Sequence, residues 1–248
     1  MSIISPWYQL GYVIPHAYTD MDAYQFYKVA PDGVMLVTTQ LNLAEYSLAA
    51  VERELPTFWD RVDVLADQGV DLISLSGVPV ASALGRERVL ALLDEVRDRT
   101  GLPADTDAEA HVAAFHHLGA TKVAVATRWP STVTDALTRY LGGAGIEVVS
   151  CMSRPRNLTE NKKANPAEDH ELALELGRKV LRSVPDAQAL MLPGGLWYAV
   201  HAVPVLEAEF GIPVTMNITA TLWAALHARK GDLLRRPDSR WGMLLSSL

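Results

Sequence analysis

Leu72-Ile73-Ser74-Leu75-Ser76-Gly77-Val78-Pro79 and Ala189-Leu190-Met191-Leu192-Pro193-Gly194-Gly195 each run an apolar strand into a turn of small residues, with a helical stretch beyond. A loop that leaves a parallel strand and opens a helix aims backbone N–H groups at whatever lies in front of it, and that geometry attracts carboxylates and phosphates. Two such turns predict a duplicated scaffold with an anion-binding cleft between its halves.

The rest of the chain alternates in the same way. Strands are expected at Leu10–Ile14, Val34–Leu41, Leu72–Leu75, Lys122–Ala126, Glu147–Val149, Ala189–Leu192 and Pro213–Met216. Helices are expected at Leu48–Asp67, Arg86–Arg99, Ala108–Leu118, Ser131–Gly142, Ala167–Ser183, Val200–Phe210 and Thr219–Lys230. Strands apolar on both faces, alternating with amphipathic helices, imply a doubly wound α/β fold with parallel sheets. Gly101-Leu102-Pro103 leads to Asp107, and Gly211-Ile212-Pro213 leads to Asn217, at one common offset before an apolar helix. Gly-x-Pro is also a common connector in α/β proteins, but the matching order of units argues for duplication. The expected organisation is therefore two pseudo-symmetric lobes, 1–120 and 121–225, followed by a C-terminal tail at 226–248, with the turns of both lobes meeting at the cleft.

Composition narrows the function. The 248 residues are 49% hydrophobic and 21% charged, which suits a globular protein with a sizeable core. A net charge of −7 argues against nucleic acid as a partner. The Arg154–Lys163 stretch, broken by Pro155, Asn157 and Glu160, reads as solvated loop. No run of about 18 apolar residues suggests a membrane span, and Met1–Trp7 lacks a signal-peptide pattern, so the cytoplasm is the expected compartment. Cys151, the single cysteine, permits no intramolecular disulfide and no cysteine zinc cluster, and is expected to be buried and inert. The seven histidines form no metal motif. The segment from Cys151 to Pro166 is long and irregular, and is either a flap over the cleft or a surface excursion.

Five segments taken together resemble one known group. They are Gly11-Tyr12-Val13-Ile14-Pro15-His16, Ile73-Ser74-Leu75-Ser76-Gly77, Val123-Ala124-Val125-Ala126-Thr127-Arg128-Trp129, Met191-Leu192-Pro193-Gly194-Gly195 and Phe210-Gly211-Ile212-Pro213-Val214. In order and spacing they resemble the arylmalonate decarboxylase and maleate cis-trans isomerase branch of the aspartate/glutamate racemase superfamily. The resemblance implies a cofactor-independent enzyme holding a small carboxylate between two lobes, with cysteines at one or both of two mirrored positions. Those positions fall on Gly77 and Pro193 here. The hydroxyl pair after the first falls on Val78 and Pro79, which supply neither a hydroxyl nor, at Pro79, an N–H. A carboxylate-binding tyrosine falls on Trp129. The scaffold resembles the family while the cysteine chemistry is absent.

Other residues are candidates to replace it. His16 ends the first strand-turn and titrates near neutrality, although it also reads as a surface-turn histidine. Tyr18 and Asp20 follow it. Glu45 lies beyond the second strand and serves either as a substrate-facing acid or as a residue favouring a helix start. Pro15, Ser76, Val78, Trp129, Pro193 and Trp197 are placed around the substrate, with Tyr198 beside Trp197 at the opening of the next helix. Gly77, Gly194 and Gly195 offer amides, and Arg128 either pairs with a carboxylate or is solvated. Asn217 and Thr219 face the cleft or simply cap the last helix. These residues point to a cofactor-free, cysteine-free lyase, isomerase or hydrolase of a small carboxylate or related cyclic compound. The alternative is a non-catalytic carboxylate-binding protein on the same scaffold. Assembly into a homo-oligomer is compatible with either.

Overall fold

The computed structural model describes residues 4–18, 21–157, 160, 161 and 163–248. Asp20 lies outside the described residues.

The first half supplies β1 (Tyr8–Ile14), α1 (Met21–Val29), β2 (Val34–Gln40), α2 (Leu48–Asp67), β3 (Leu72–Leu75), α3 (Val78–Leu84), α4 (Arg86–Thr100), β4 (Ala104–Thr106) and α5 (Asp107–His117). The second supplies β5 (Lys122–Thr127), α6 (Ser131–Gly142), β6 (Glu147–Ser153), α7 (Pro166–Ser183), β7 (Ala189–Leu192), α8 (Ala202–Phe210), β8 (Val214–Met216) and α9 (Asn217–His227). A short helix, α10 (Met243–Ser246), follows two 3-10 turns near the C-terminus. Each half forms a four-stranded parallel sheet, ordered β2-β1-β3-β4 in one and β6-β5-β7-β8 in the other. The identical order is the structural form of the duplication.

The strands work as their two-residue period requires. Tyr8, Leu10, Tyr12 and Ile14 of β1 face one core cluster, while Val13 faces the other. Ala124 and Ala126 of β5 join the first cluster, and Val123 and Val125 the second. Leu190 and Leu192 of β7 divide from Ala189 and Met191 in the same way. Each cluster draws on both sheets, so the hydrophobic interior runs continuously from one half to the other. Gly11 has a packing reason: a Cβ there would sit 2.9 Å from Val70 Cγ2 and 3.1 Å from the Leu72 carbonyl oxygen.

Several expectations change. Helix α1 was hidden by its mixture of Tyr, Gln and Lys, yet it buries Gln25, Phe26 and Val29. Strand β4 is only three residues long and sits behind the Gly-Leu-Pro connector. Strand β6 runs on to Ser153, so Cys151 belongs to an edge strand and not to the irregular segment. Cys151 is accordingly exposed, not buried. Partial desolvation and the nearby Asp135 still push its thiol up to about 11, which leaves it a poor nucleophile. Trp197 and Tyr198 do not open a helix, because α8 begins only at Ala202.

Candidate functional site

In both sheets the chain winds outward from the first strand and then returns to its other side. The crevice at such a switch point lies beyond the carboxyl ends of the two inner strands. Pro15 and His16 leave β1, Ser76 and Gly77 leave β3, Arg128 and Trp129 leave β5, and Pro193 and Gly194 leave β7. All four loops carry residues singled out in the sequence.

The turn amides are already partnered. Gly77, held at φ 101°, donates its N–H to Asp107 Oδ2 at 2.7 Å. Gly194, at φ 123°, donates to Asn217 Oδ1 at 2.9 Å. Asp107 and Asn217 are the residues that occupied equal positions in the Gly-x-Pro repeat, so each half caps its own turn with the first residue of its own later helix. The two capping side chains also meet, with Asn217 Nδ2 donating to Asp107 Oδ2 at 2.9 Å. Thr221 of α9 donates to Asp107 Oδ1 at 2.7 Å, and His111 of α5 bonds Asn217 Oδ1 at 3.3 Å, which completes a crossed pair. Tyr12 (3.0 Å) and Ser76 (3.2 Å) also donate to Asp107. Thr219 bonds the Met216 backbone, so capping accounts for it.

This network fixes proton positions. The Gly194 N–H can only donate, so the Asn217 oxygen faces it and the Asn217 amide faces Asp107. His111 therefore presents Nε2–H to Asn217 and accepts from Thr215 at Nδ1, 3.0 Å away. His111 is fully buried, and desolvation brings its pKa down to about 4. It is a neutral structural imidazole. The Tyr12 phenol is pushed well above its usual range by burial and by Asp107.

Outside this base lies an open cavity of about 640 Å³ between the halves. Its first-half wall is 44–47, and its second-half wall includes Trp129, Val133, Pro155 and Arg156. Tyr46 in this wall hydrogen-bonds His16 Nε2 at 3.0 Å. His16 is only 4% exposed and stacks on Tyr18, so it is no surface histidine. Glu45 also lines the cavity and accepts from Ser47 Oγ at 2.7 Å. The Trp129 ring packs against Gly194, since a Cβ there would lie 3.4 Å from its Cζ2, and so it stands between the turn and the cavity.

Arg128 is neither solvated nor aimed into the cavity. It is 3% exposed and bonds both oxygens of Asp169 at 3.0 and 2.9 Å, while burial lowers its pKa to about 10. Arg156, on the cavity wall, bonds the same Asp169 at 2.8 Å. Trp197 is wholly buried and donates its indole N–H to the Asp169 carbonyl at 2.9 Å, so it supports this group from behind. Gly195 lies against Asp22, whose carboxylate occupies the space a Cβ would need. Pro15, Val78 and Pro193 are buried near the turns. Of the sequence candidates, Glu45 and Trp129 line the cavity, and His16 reaches it through Tyr46. Sequence reasoning missed Tyr46, Asp107, Arg156 and Asp22. The repeat alignment was a signal for Asp107, but nothing local marked Arg156 or Asp22. Among the described residues, no cluster of three or more His, Cys, Asp or Glu side chains is placed to hold a metal ion. No helix is long and apolar enough to cross a membrane among those residues.

Residues 10–240 match the family model described as arylmalonate decarboxylase. A relative from Bordetella bronchiseptica, arylmalonate decarboxylase, is 24% identical over 230 residues, covering 92% of this chain and 93% of that protein. Among solved structures, a Gly-to-Cys, Cys-to-Ser double mutant of arylmalonate decarboxylase in liganded form superposes with a TM-score of 0.85 at 22% identity, covering 97% of this chain and 100% of the other. A Cys-to-Ala mutant of the maleate isomerase from Pseudomonas putida S16, with maleate, gives 0.80 at 20% identity, covering 96% and 97%. At these identities the two structures speak for the fold.

Proposed function

This chain belongs to the arylmalonate decarboxylase family, and from that premise we propose that it is a lyase or isomerase of a small carboxylate, working without cysteine and without a cofactor. The observation that carries the reading is the His16–Tyr46 pair at the wall of the cavity between the halves. A histidine held by a phenol has a fixed ring orientation and can take or return a proton through that hydroxyl. Proton transfer at the carbon beside a carboxylate needs such a group and a fixed anion. Arg156 is suited to hold the anion. Asp169 carries one negative charge against the two guanidinium charges of Arg128 and Arg156, so this corner has a surplus positive charge that a bound carboxylate would neutralise. Trp129, Val133 and Pro155 offer an apolar wall for the rest of the substrate. The chain's one cysteine lies on an outer edge strand, where it lines no part of the cavity.

The test is turnover of phenylmalonate, methylmalonate and maleate in D2O, followed by proton NMR. On whichever acid is consumed, His16→Ala is expected to lower kcat by about 100-fold or more, within the usual range for one general acid–base group. Arg156→Gln should raise KM, and Cys151→Ser should leave both constants unchanged. Loss of activity in Cys151→Ser, or full activity in His16→Ala, would overturn the reading. A second reading, binding without turnover, is favoured by the capped Gly77 and Gly194 amides, which leave those two donors unavailable to an oxyanion. It predicts saturable binding of these acids with no deuterium incorporation.

A further inference from the structure

A smaller pocket, of about 200 Å³, adjoins the main cavity, and the two share Tyr46, Thr132 and Val133 as a common wall. The rest of its lining comes from α2, α3 and α6, and includes Arg139 of α6. On the reading that Arg156 anchors a carboxylate in the main cavity, we propose that this pocket belongs to the same site and that Arg139 holds a second carboxylate of the substrate. The substrate is then an extended dicarboxylate, its two acids separated by an apolar spacer.

Three features carry this. The first is continuity. Arg156 lines the main cavity only, Arg139 lines the smaller pocket only, and Tyr46 stands in the wall common to both. A ligand reaching from one arginine to the other therefore crosses Tyr46, whose hydroxyl is bonded to His16. Its middle carbons, not its ends, lie beside the proton-transferring pair. The second feature is the apolar lining. Leu48 of α2, Pro79 and Ala83 of α3 and Ala136 of α6 line the pocket, and small side chains where α3 packs on α6 leave the gap open. Such walls suit a chain of methylene groups. The third is the state of Arg139. Its side chain is exposed, and among the described residues it makes no ion pair, whereas nearby Arg86 is committed to Glu109 and to the Gly143 carbonyl. Its guanidinium fork is thus available to a carboxylate. Among the described residues no acid lines the pocket. The two acids next in sequence to its wall serve other surroundings. Asp135 stands near β6, where it adds to burial in raising the Cys151 pKa. Glu45 lines the main cavity and accepts from Ser47 Oγ.

The experiment is isothermal titration calorimetry at neutral pH with glutarate, adipate and suberate, each compared with its own monomethyl ester. The ester keeps the length of the diacid and one of its two charges. At least one diacid should bind about fivefold more tightly than its ester, the upper range for an ion pair at an exposed guanidinium. Arg139→Gln should bring that diacid down to the affinity of its ester. Thermal unfolding should not change, because the exposed Arg139 side chain makes no ion pair that the variant would break. Diacids that bind no more tightly than their esters, or a preference that survives Arg139→Gln, would overturn the inference and leave the Arg156 anchor standing. Diacid affinity undiminished in Arg156→Gln would overturn the anchor, and the inference with it.

Discussion

Lowering the pH is expected to unfold this protein partly through one residue, His111. The imidazole is fully buried between the halves and its pKa is brought down to about 4, against about 6.5 for an exposed histidine. The unfolded chain therefore takes up a proton near pH 6.5 while the folded one refuses it until near pH 4. Between those values the unfolded state binds more protons, so stability falls as the pH falls. A gap of about 2.5 units at 1.36 kcal/mol each sets the loss at about 3 kcal/mol. Urea denaturation at pH 7, 6, 5 and 4 would measure it, with His111→Gln as reference. Glutamine keeps an amide donor for Asn217 and cannot titrate. Other groups change stability in the same window. Glu207, whose carboxyl is raised by burial, acts with the opposite sign. These contributions are common to both proteins and cancel in the difference. The wild type should lose about 3 kcal/mol more than His111→Gln between pH 7 and pH 4. Parallel pH profiles for the two proteins would refute the reasoning.

Other substitutions test the same architecture. Asp107→Ala removes the shared acceptor of Gly77, Tyr12, Ser76, Asn217 and Thr221. Stranding even two such buried donors at about 1–3 kcal/mol each implies a loss of about 4 kcal/mol, read by chemical denaturation. For a chain of this size that is a drop of about 10 °C in Tm. Gly195→Ala would force a methyl group into the Asp22 carboxylate, so it should lower Tm and alter the neighbouring turn, whereas alanine at the unobstructed Gly142 should not. Trp197→Phe removes the indole donor behind Asp169 and should raise KM through Arg156 more than it lowers kcat, as steady-state kinetics would show.

The fold was legible because its signals are repeated and local. Apolar strands such as Leu72–Leu75 and Ala189–Leu192 appear as expected to the residue, since a covered parallel strand is apolar on both faces. Helix α1 escaped notice because its buried face includes the amide of Gln25, whose value comes from bonds to residues 197–200, far along the chain. The site was only partly legible for the same reason. The turns at Gly77 and Gly194 were evident, but that their amides are occupied depends on side chains 30 and 23 residues away. Arg128 reads either as a partner for a carboxylate or as a solvated cation until Asp169 is placed beside it, and Arg156 becomes a site residue only because it shares that carboxylate. Trp129 was anticipated at the site, yet its covering position over Gly194 follows from three-dimensional packing alone.

The crossed bonds at the base of the cleft bear on how a substrate gets in. Many two-lobed binding proteins admit a ligand by swinging apart about a hinge. Here that motion would have to pull Thr221 from Asp107, Asn217 from Asp107 and His111 from Asn217 together, in an interior closed to water. Traffic is thereby shifted to the outer lip. Segments 44–47 and 155–157 line the cavity outside those bonds, where a yielding of the chain would leave the base shut. A rigid base with a yielding lip makes the rate of entry a property of the lip's sequence. Exchange of residues there can retune access without disturbing the buried framework.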